Sequence, residues 1–141
     1  MSMNFLAAPQ SLITERLLIR RPRQEDAGQV FRRYASDPEV TRSLAWPTHG
    51  SLADTSAFLQ LADEHWEYRG IGPLLVLDRR SGELLGGSGL EIDGRAAATG
   101  YVFARSAWGQ GYATETLQAV LGAARKLRLD RVEALCHPSH E

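Results

Sequence analysis

The sequence predicts an α+β fold built as one domain over residues 1–141, and three features carry that reading. The composition is ordinary for a globular chain: 43% apolar and 23% charged residues supply a core and argue against disorder. Thr99–Leu129 reads as a strand, a glycine turn and a helix in succession. Before it, Pro73–Asp78 and Glu83–Leu90 read as neighbouring strands of a meander. The predicted order is β-α-α-β-β-β-α-β.

Taken in order, Leu12–Arg21 is predicted as the first strand, with Leu17 and Ile19 on one face and Leu18 on the other. Pro22 ends it, because proline cannot donate to a ladder. Asp26–Ala35 fits a helix with Ala27, Val30, Phe31 and Tyr34 in register, and Asp37-Pro38 breaks it. Val40–Gly50 is expected to be an irregular connection holding Trp46, Pro47 and His49. Ser51-Leu52-Ala53-Asp54 resembles a capping box with Asp in place of Glu and opens a helix to about Arg69. Phe58, Leu59, Ala62 and Trp66 form its apolar set. Arg79–Gly82 makes a hairpin loop, and Gly86, Gly87 and Gly89 in the following strand suggest a bulge or a close backbone approach. Asp93-Gly94 marks a turn before the Thr99–Ala104 strand. From Thr114 onward Leu117, Val120, Leu121, Ala124 and Leu127 recur at helical spacing, and Arg131–Cys136 is the last predicted strand.

The chemistry concentrates at Gly109 and Gly111, where a strand hands over to a helix. The first amides of a helix lack intrahelical partners and the macrodipole is positive there, so an anion is favoured. Glycines let a phosphate approach the backbone closely, although a tight turn alone would also use them. A nucleotide-hydrolase phosphate loop is excluded, because no Lys follows Gly111. A dinucleotide fingerprint fails because Thr114 occupies its third glycine position, and Asp130 precedes the next strand instead of ending it.

Trp108-Gly109-Gln110-Gly111-Tyr112-Ala113-Thr114-Glu115 resembles the acyl-CoA pyrophosphate loop of the GNAT superfamily of N-acetyltransferases, above all its Rim-type branch of ribosomal-protein N-terminal acetyltransferases. Gly111 and Ala113 fill the last two fixed positions of the superfamily pattern Q/R-x-x-G-x-G/A, and Trp108 stands where Gln or Arg is usual. The likeness extends to Thr14-Glu15-Arg16-Leu17 with Arg20-Arg21-Pro22, to Val40-Thr41-Arg42 with Trp46-Pro47, and to Val132-Glu133-Ala134. It implies a central, mostly antiparallel sheet with helices on both faces. It also implies acetyl-CoA as co-substrate, with pantetheine on the main chain of Val102, Phe103 and Ala104. The pyrophosphate would rest on the amides of Trp108, Gly109, Gln110, Gly111, Tyr112 and Ala113, with a hydroxyl from Thr114. Trp108 and Tyr112 are equally readable as packing at the helix start. The implied reaction is direct acetyl transfer to an amine, a protein or peptide α-amino group, with a small amine as the other acceptor.

That transfer needs a base, an oxyanion donor and a proton for the thiolate. The donor would be a main-chain N–H near Val102–Phe103. Rim-type relatives often carry Glu before the Gly-Tyr of this strand, where Ala97-Ala98-Thr99 stand here; Glu91 is the substitute base, and Trp46 and His49 are expected to line the acceptor pocket. Relatives also continue beyond this chain's end, which predicts an exposed edge at Arg131–Cys136 and a possible homodimer through it. His140 stands near a position where relatives often have Asn. An acyl-CoA-binding protein without efficient catalysis, and an interaction module with no ligand, are the competing classes.

The formal net charge of −1 gives no case for nucleic-acid or membrane-surface partners, and the basic cluster at Arg16–Arg23 alternates with apolar residues as a solvated strand face does. A single cysteine, Cys136, excludes an internal disulfide and fits a reducing cytoplasm. The opening MSMNFLAAPQ lacks signal-peptide features. His137, His140 and Glu141 lack metal-ligand spacing, so no metal is expected.

Overall fold

The computed structural model describes residues 10–42, 44, 47–93, 96–126 and 131–135, the side chains of 91–93, 96–97 and 131–135 excepted. Its frame is one six-stranded sheet whose strands lie side by side in chain order: β1 (Ser11–Ile13), β2 (Leu17–Arg20), β3 (Pro73–Asp78), β4 (Leu84–Asp93), β5 (Ala96–Phe103) and β6 (Arg131–Leu135). Every pairing is antiparallel except β5 with β6. That parallel pair requires a crossover, supplied by the helix α4 (Tyr112–Arg125).

The β3 sequence Pro-Leu-Leu-Val-Leu-Asp is apolar on both faces, which demands cover on both faces. Leu74 and Val76 join Leu17, Ile19, Tyr101 and Phe103 in a core with Val120 and Ala124 of α4. Leu75 and Leu77 face the other way, into Val30, Tyr34, Ala35 and Val40. Full burial of each such aliphatic side chain stabilises by roughly 1.5–3 kcal/mol. The second face is covered by a helical stretch at 24–35, which contains α1 (Ala27–Val30), and by α2 (Pro38–Thr41) and α3 (Leu52–Arg69).

The predicted Leu12–Arg21 strand is corrected by the structure to a hairpin, β1 pairing with β2 from Ser11↔Arg20 to Ile13↔Leu18. The break is a side-chain turn: the Leu17 amide donates to the Thr14 hydroxyl at 3.0 Å and the Thr14 amide to the Leu17 carbonyl at 2.9 Å. Asp37-Pro38 ends one helix as expected but also starts α2, which lies partly inside the predicted irregular connection. Asp37 caps it by accepting from the Glu39 amide at 3.0 Å, with Pro38 at the first position. At α3, Ser51 accepts from the Asp54 amide, while Asp54 reaches back to the Gly50 amide at 2.9 Å. Gly70, at φ 72°, closes α3 in the left-handed conformation.

The glycines of β4 fulfil the expectation of a bulge. Leu77 pairs with Leu84 and Val76 with Gly86, so Leu85 is the extra residue. Its carbonyl accepts from the Ala104 amide at 2.9 Å, and that of Leu84 from Arg33 Nε at 3.0 Å. A Cβ on Gly86 would stand 2.1 Å from the Val102 carbonyl oxygen, so no other residue fits there without moving β5.

Candidate functional site

The glycine turn is built as a cradle of backbone donors. Gly109 has φ 75° and Gly111 φ 81°, both in the left-handed region. Gly111 is the N-cap of α4 and supplies no side chain to its first turn. No backbone N–H from Gly109 through Thr114 has a hydrogen-bond partner among the described residues. A Cβ on Gly109 would touch nothing within 4 Å, whereas one on Gly111 would stand 3.4 Å from Arg16 Nη2. Successive free amides at a helix N-terminus form a concave anion site.

The turn is held from all sides. Trp108 Nε1 donates to the Phe103 carbonyl at 2.8 Å, and Gln110 Nε2 to the Ser106 carbonyl at 2.8 Å. Arg105 Nε pairs with Asp37 Oδ2 at 2.7 Å, tying the preceding 3-10 turn to the cap of α2. Trp108 packs against both cores, and the Tyr112 ring stacks on Phe103 with centroids 6.4 Å apart. Both aromatics therefore have packing roles at the start of α4. Thr114 is exposed and Ala113 half-buried.

Arg16 is a neighbour of the turn that the sequence reading placed only within a strand. Its Nη1 donates to the Gln110 carbonyl at 2.9 Å and its guanidinium lies 4.4 Å from the Tyr112 ring centroid. Its Nε donates to Glu115 Oε1 at 2.7 Å, while its amide and the Thr14 hydroxyl donate to Glu115 Oε2. Burial pushes the Glu115 carboxyl up, but the bonds from Thr14 and Arg16 outweigh it and hold it below its ordinary value. The β1–β2 turn is thereby clamped to the first turn of α4. The available signal was Glu115 inside the motif, a carboxylate at a helix start facing no local cation.

The strand ahead of the turn leads directly into it. The described part of the β5–β6 ladder runs from Ala96↔Arg131 to Gly100↔Leu135, and β5 pairs with β4 through Tyr101, Val102 and Phe103. Val102, Phe103 and Ala104 are buried. A cavity of about 470 Å³ lies between this part of the sheet and the helices, lined by Tyr34, Leu44, Phe58, His65 and Arg69 above and by Gly87, Gly89, Ala98, Gly100 and Val102 below. Its floor is nearly bare backbone, because β4 and β5 contribute glycine and alanine there. A wider hollow of about 690 Å³ between β1–β2 and α3 is a poorer candidate. Its Arg20 and Arg21 are already engaged with Asp26 and Asp63, and it touches neither β5 nor the cradle.

The other expected residues are placed less directly. His49 Nδ1 bonds Thr55 Oγ1 at 2.8 Å, and its ring lies 6.1 Å from that of Phe58, which lines the cavity. Burial lowers its pKa and Asp54 only partly opposes this, which favours the neutral ring. His49 is one ring back from the cavity, not on its wall. Glu91 lies within β4, not at its end, and pairs with the cavity-lining Ala98; its side chain is outside the described residues. Trp46, Cys136, His137, His140 and Glu141 also lie outside them. Among the described residues there is no cluster of His, Cys, Asp and Glu able to hold a metal, and no helix long and apolar enough to cross a membrane.

The profile of the acetyltransferase (GNAT) domain matches residues 16–141. An uncharacterized N-acetyltransferase p20 from Bacillus licheniformis is 29% identical over 136 residues, covering 93% of this chain and 75% of the relative. The crystal structure of a GNAT-family acetyltransferase from Bacillus anthracis superposes with a TM-score of 0.77 at 26% identity, over 92% of this chain and 75% of that one. The ribosomal L7/L12 α-N-protein acetyltransferase RimL shares the fold, with a TM-score of 0.68 at 22% identity, over 79% of this chain and 61% of that one. The chain belongs to the GNAT acetyltransferase domain family, whose acyl donor is acetyl-CoA.

Proposed function

We propose that this chain binds acetyl-CoA along Val102–Ala104 and the turn from Trp108 to Thr114, and transfers the acetyl group directly to an amine. The observation that carries the reading is the run of unpartnered amides from Gly109 through Thr114, shaped by two left-handed glycines. A pyrophosphate is the ligand chemistry such a run suits. Pantetheine would follow the main chain of β5 at Val102–Ala104, and its thioester would reach the glycine-floored cavity.

In this reading the amine attacks the thioester carbonyl, a C–N bond forms and the C–S bond breaks. The amine proton leaves to a base and the thiolate takes up a proton. A main-chain N–H near Val102–Phe103 would hold the developing oxyanion. Glu91, directly or through a water, is the proposed base, and Trp46 and His49 the proposed acceptor-side residues. The proposed acceptor is a protein or peptide α-amino group, on the strength of the Trp108–Glu115 motif and the RimL fold match. The setting is cytoplasmic, and a second copy would pair along β6, the last strand of the described sheet. Light scattering tests that pairing, and a monomer counts against it.

A second reading, an acyl-CoA binder without efficient turnover, is favoured by one observation. The residues before Gly100 offer no carboxylate, and the Thr99 hydroxyl is spent on the Gly89 carbonyl at 2.5 Å. Mass spectrometry of a peptide panel with free α-amino groups, incubated with the chain and acetyl-CoA, separates the two. Enzyme-dependent gain of one acetyl mass supports the transferase; acetyl-CoA binding without it supports the second reading.

A further inference from the structure

Tyr34 belongs to no part of the predicted site, yet it is the polar group best placed over the cavity floor. The residue is 3% exposed, and its hydroxyl has no hydrogen-bond partner among the described residues. Tyr34 lines the cavity together with Gly87 and Val102, and it packs in the same core as Val102. A Cβ on Gly87 would stand 3.1 Å from the Tyr34 oxygen and 3.6 Å from Val102 Cγ1, so the hydroxyl projects over the Gly87↔Val102 pair. Glycine at position 87 leaves that space empty. Burial also raises the phenol's pKa well above its ordinary value, so it remains a donor across the working pH range.

We propose that the Tyr34 hydroxyl is an acyl-recognition group, donating a hydrogen bond to the thioester carbonyl oxygen of acetyl-CoA above Val102. This rests on the cofactor placement proposed above. Among the described residues the buried side-chain oxygen without a partner is that of Thr116, so the Tyr34 oxygen opens on the cavity, where an acceptor oxygen arriving with the ligand would pair with it. The apolar ring meanwhile closes the cavity behind the acetyl methyl, sharing its core with Leu75, Leu77 and Val102. The assignment explains why the hydroxyl makes no hydrogen bond among the described residues.

Tyr34→Phe removes the oxygen and keeps the ring. Calorimetric titration of the intact chain and of this variant with acetyl-CoA and, separately, with free CoA reads the assignment directly. Acetyl-CoA binding is expected to weaken ~tenfold in the variant, as for one lost neutral hydrogen bond, with free CoA unchanged. Equal weakening for both ligands, or none for either, would overturn the assignment while leaving the cofactor reading intact. Failure of the unsubstituted chain to bind either ligand would overturn both. Thermal unfolding without ligand provides an independent check. The variant should melt at or above the temperature of the parent, since no native hydrogen bond is lost; a drop of several degrees would show that the hydroxyl has a structural partner and would also overturn the assignment.

Discussion

Glu115 illustrates how much of the site depends on single side chains far apart in sequence. It gathers the Thr14 hydroxyl, the Arg16 amide and the Arg16 guanidinium across 99–101 positions, and so fixes the first turn of α4 against the β1–β2 turn. Glu115→Gln should cost about 1–2 kcal/mol at pH 7 by denaturant unfolding, the lower end being set by the exposure of Arg16. Because the folded carboxyl titrates below its ordinary value of 4.5, this contribution is complete above that value. It is lost as the pH falls through the folded pKa, so parent and variant should converge in acid; a gap that widens in acid would contradict the assignment. At Gly86 the argument is steric. Gly86→Ala forces a Cβ onto the Val102 carbonyl, and should destabilise by about 3 kcal/mol or prevent folding, measured by urea titration. The glycines were legible because backbone conformation is written locally. The Arg16–Glu115 clamp was not, since nothing in either segment names a partner so distant.

At the scale of elements, the loop between β5 and α4 is held by side-chain tethers. Trp108, which replaces the more usual Gln or Arg of the family pattern, holds the Phe103 carbonyl through its indole N–H. Trp108→Phe keeps most of the packing but frees that carbonyl, so a loss of about 1 kcal/mol in stability is expected by thermal unfolding. Asp37 both caps α2 and pairs with Arg105, so Asp37→Ala should cost about 1–2 kcal/mol and raise hydrogen exchange in 104–111. Period and punctuation revealed β3, α3 and α4 nearly to their ends, because long regular segments declare their periodicity. The β1–β2 hairpin stayed hidden: its turn is made by the Thr14 side chain, with no Gly or Pro to mark it. Asp37-Pro38 was read as a stop, although the same pair serves equally as N-cap and first helical residue.

Across the whole molecule, the sheet carries the site by bringing its chemistry to one place. The bulge at Leu85 shapes the β4–β5 pair, while α4 returns its open N-terminus to β5. Sequence order alone suggested the α+β layout, and the family resemblance supplied the mostly antiparallel sheet. The cavity was not legible, since its walls come from α3, the 24–35 stretch and three strands together. A ligand that binds only the folded chain must stabilise it, by ~2.7 kcal/mol at a concentration of 100 Kd. The measurement that tests the central claim most directly is calorimetric titration of acetyl-CoA into the intact chain, with Gly111→Asp as control. The account predicts saturable micromolar binding that is lost when a carboxylate is placed among the free amides of the cradle. Equal affinity for the parent and Gly111→Asp, or no binding by the parent, would contradict it.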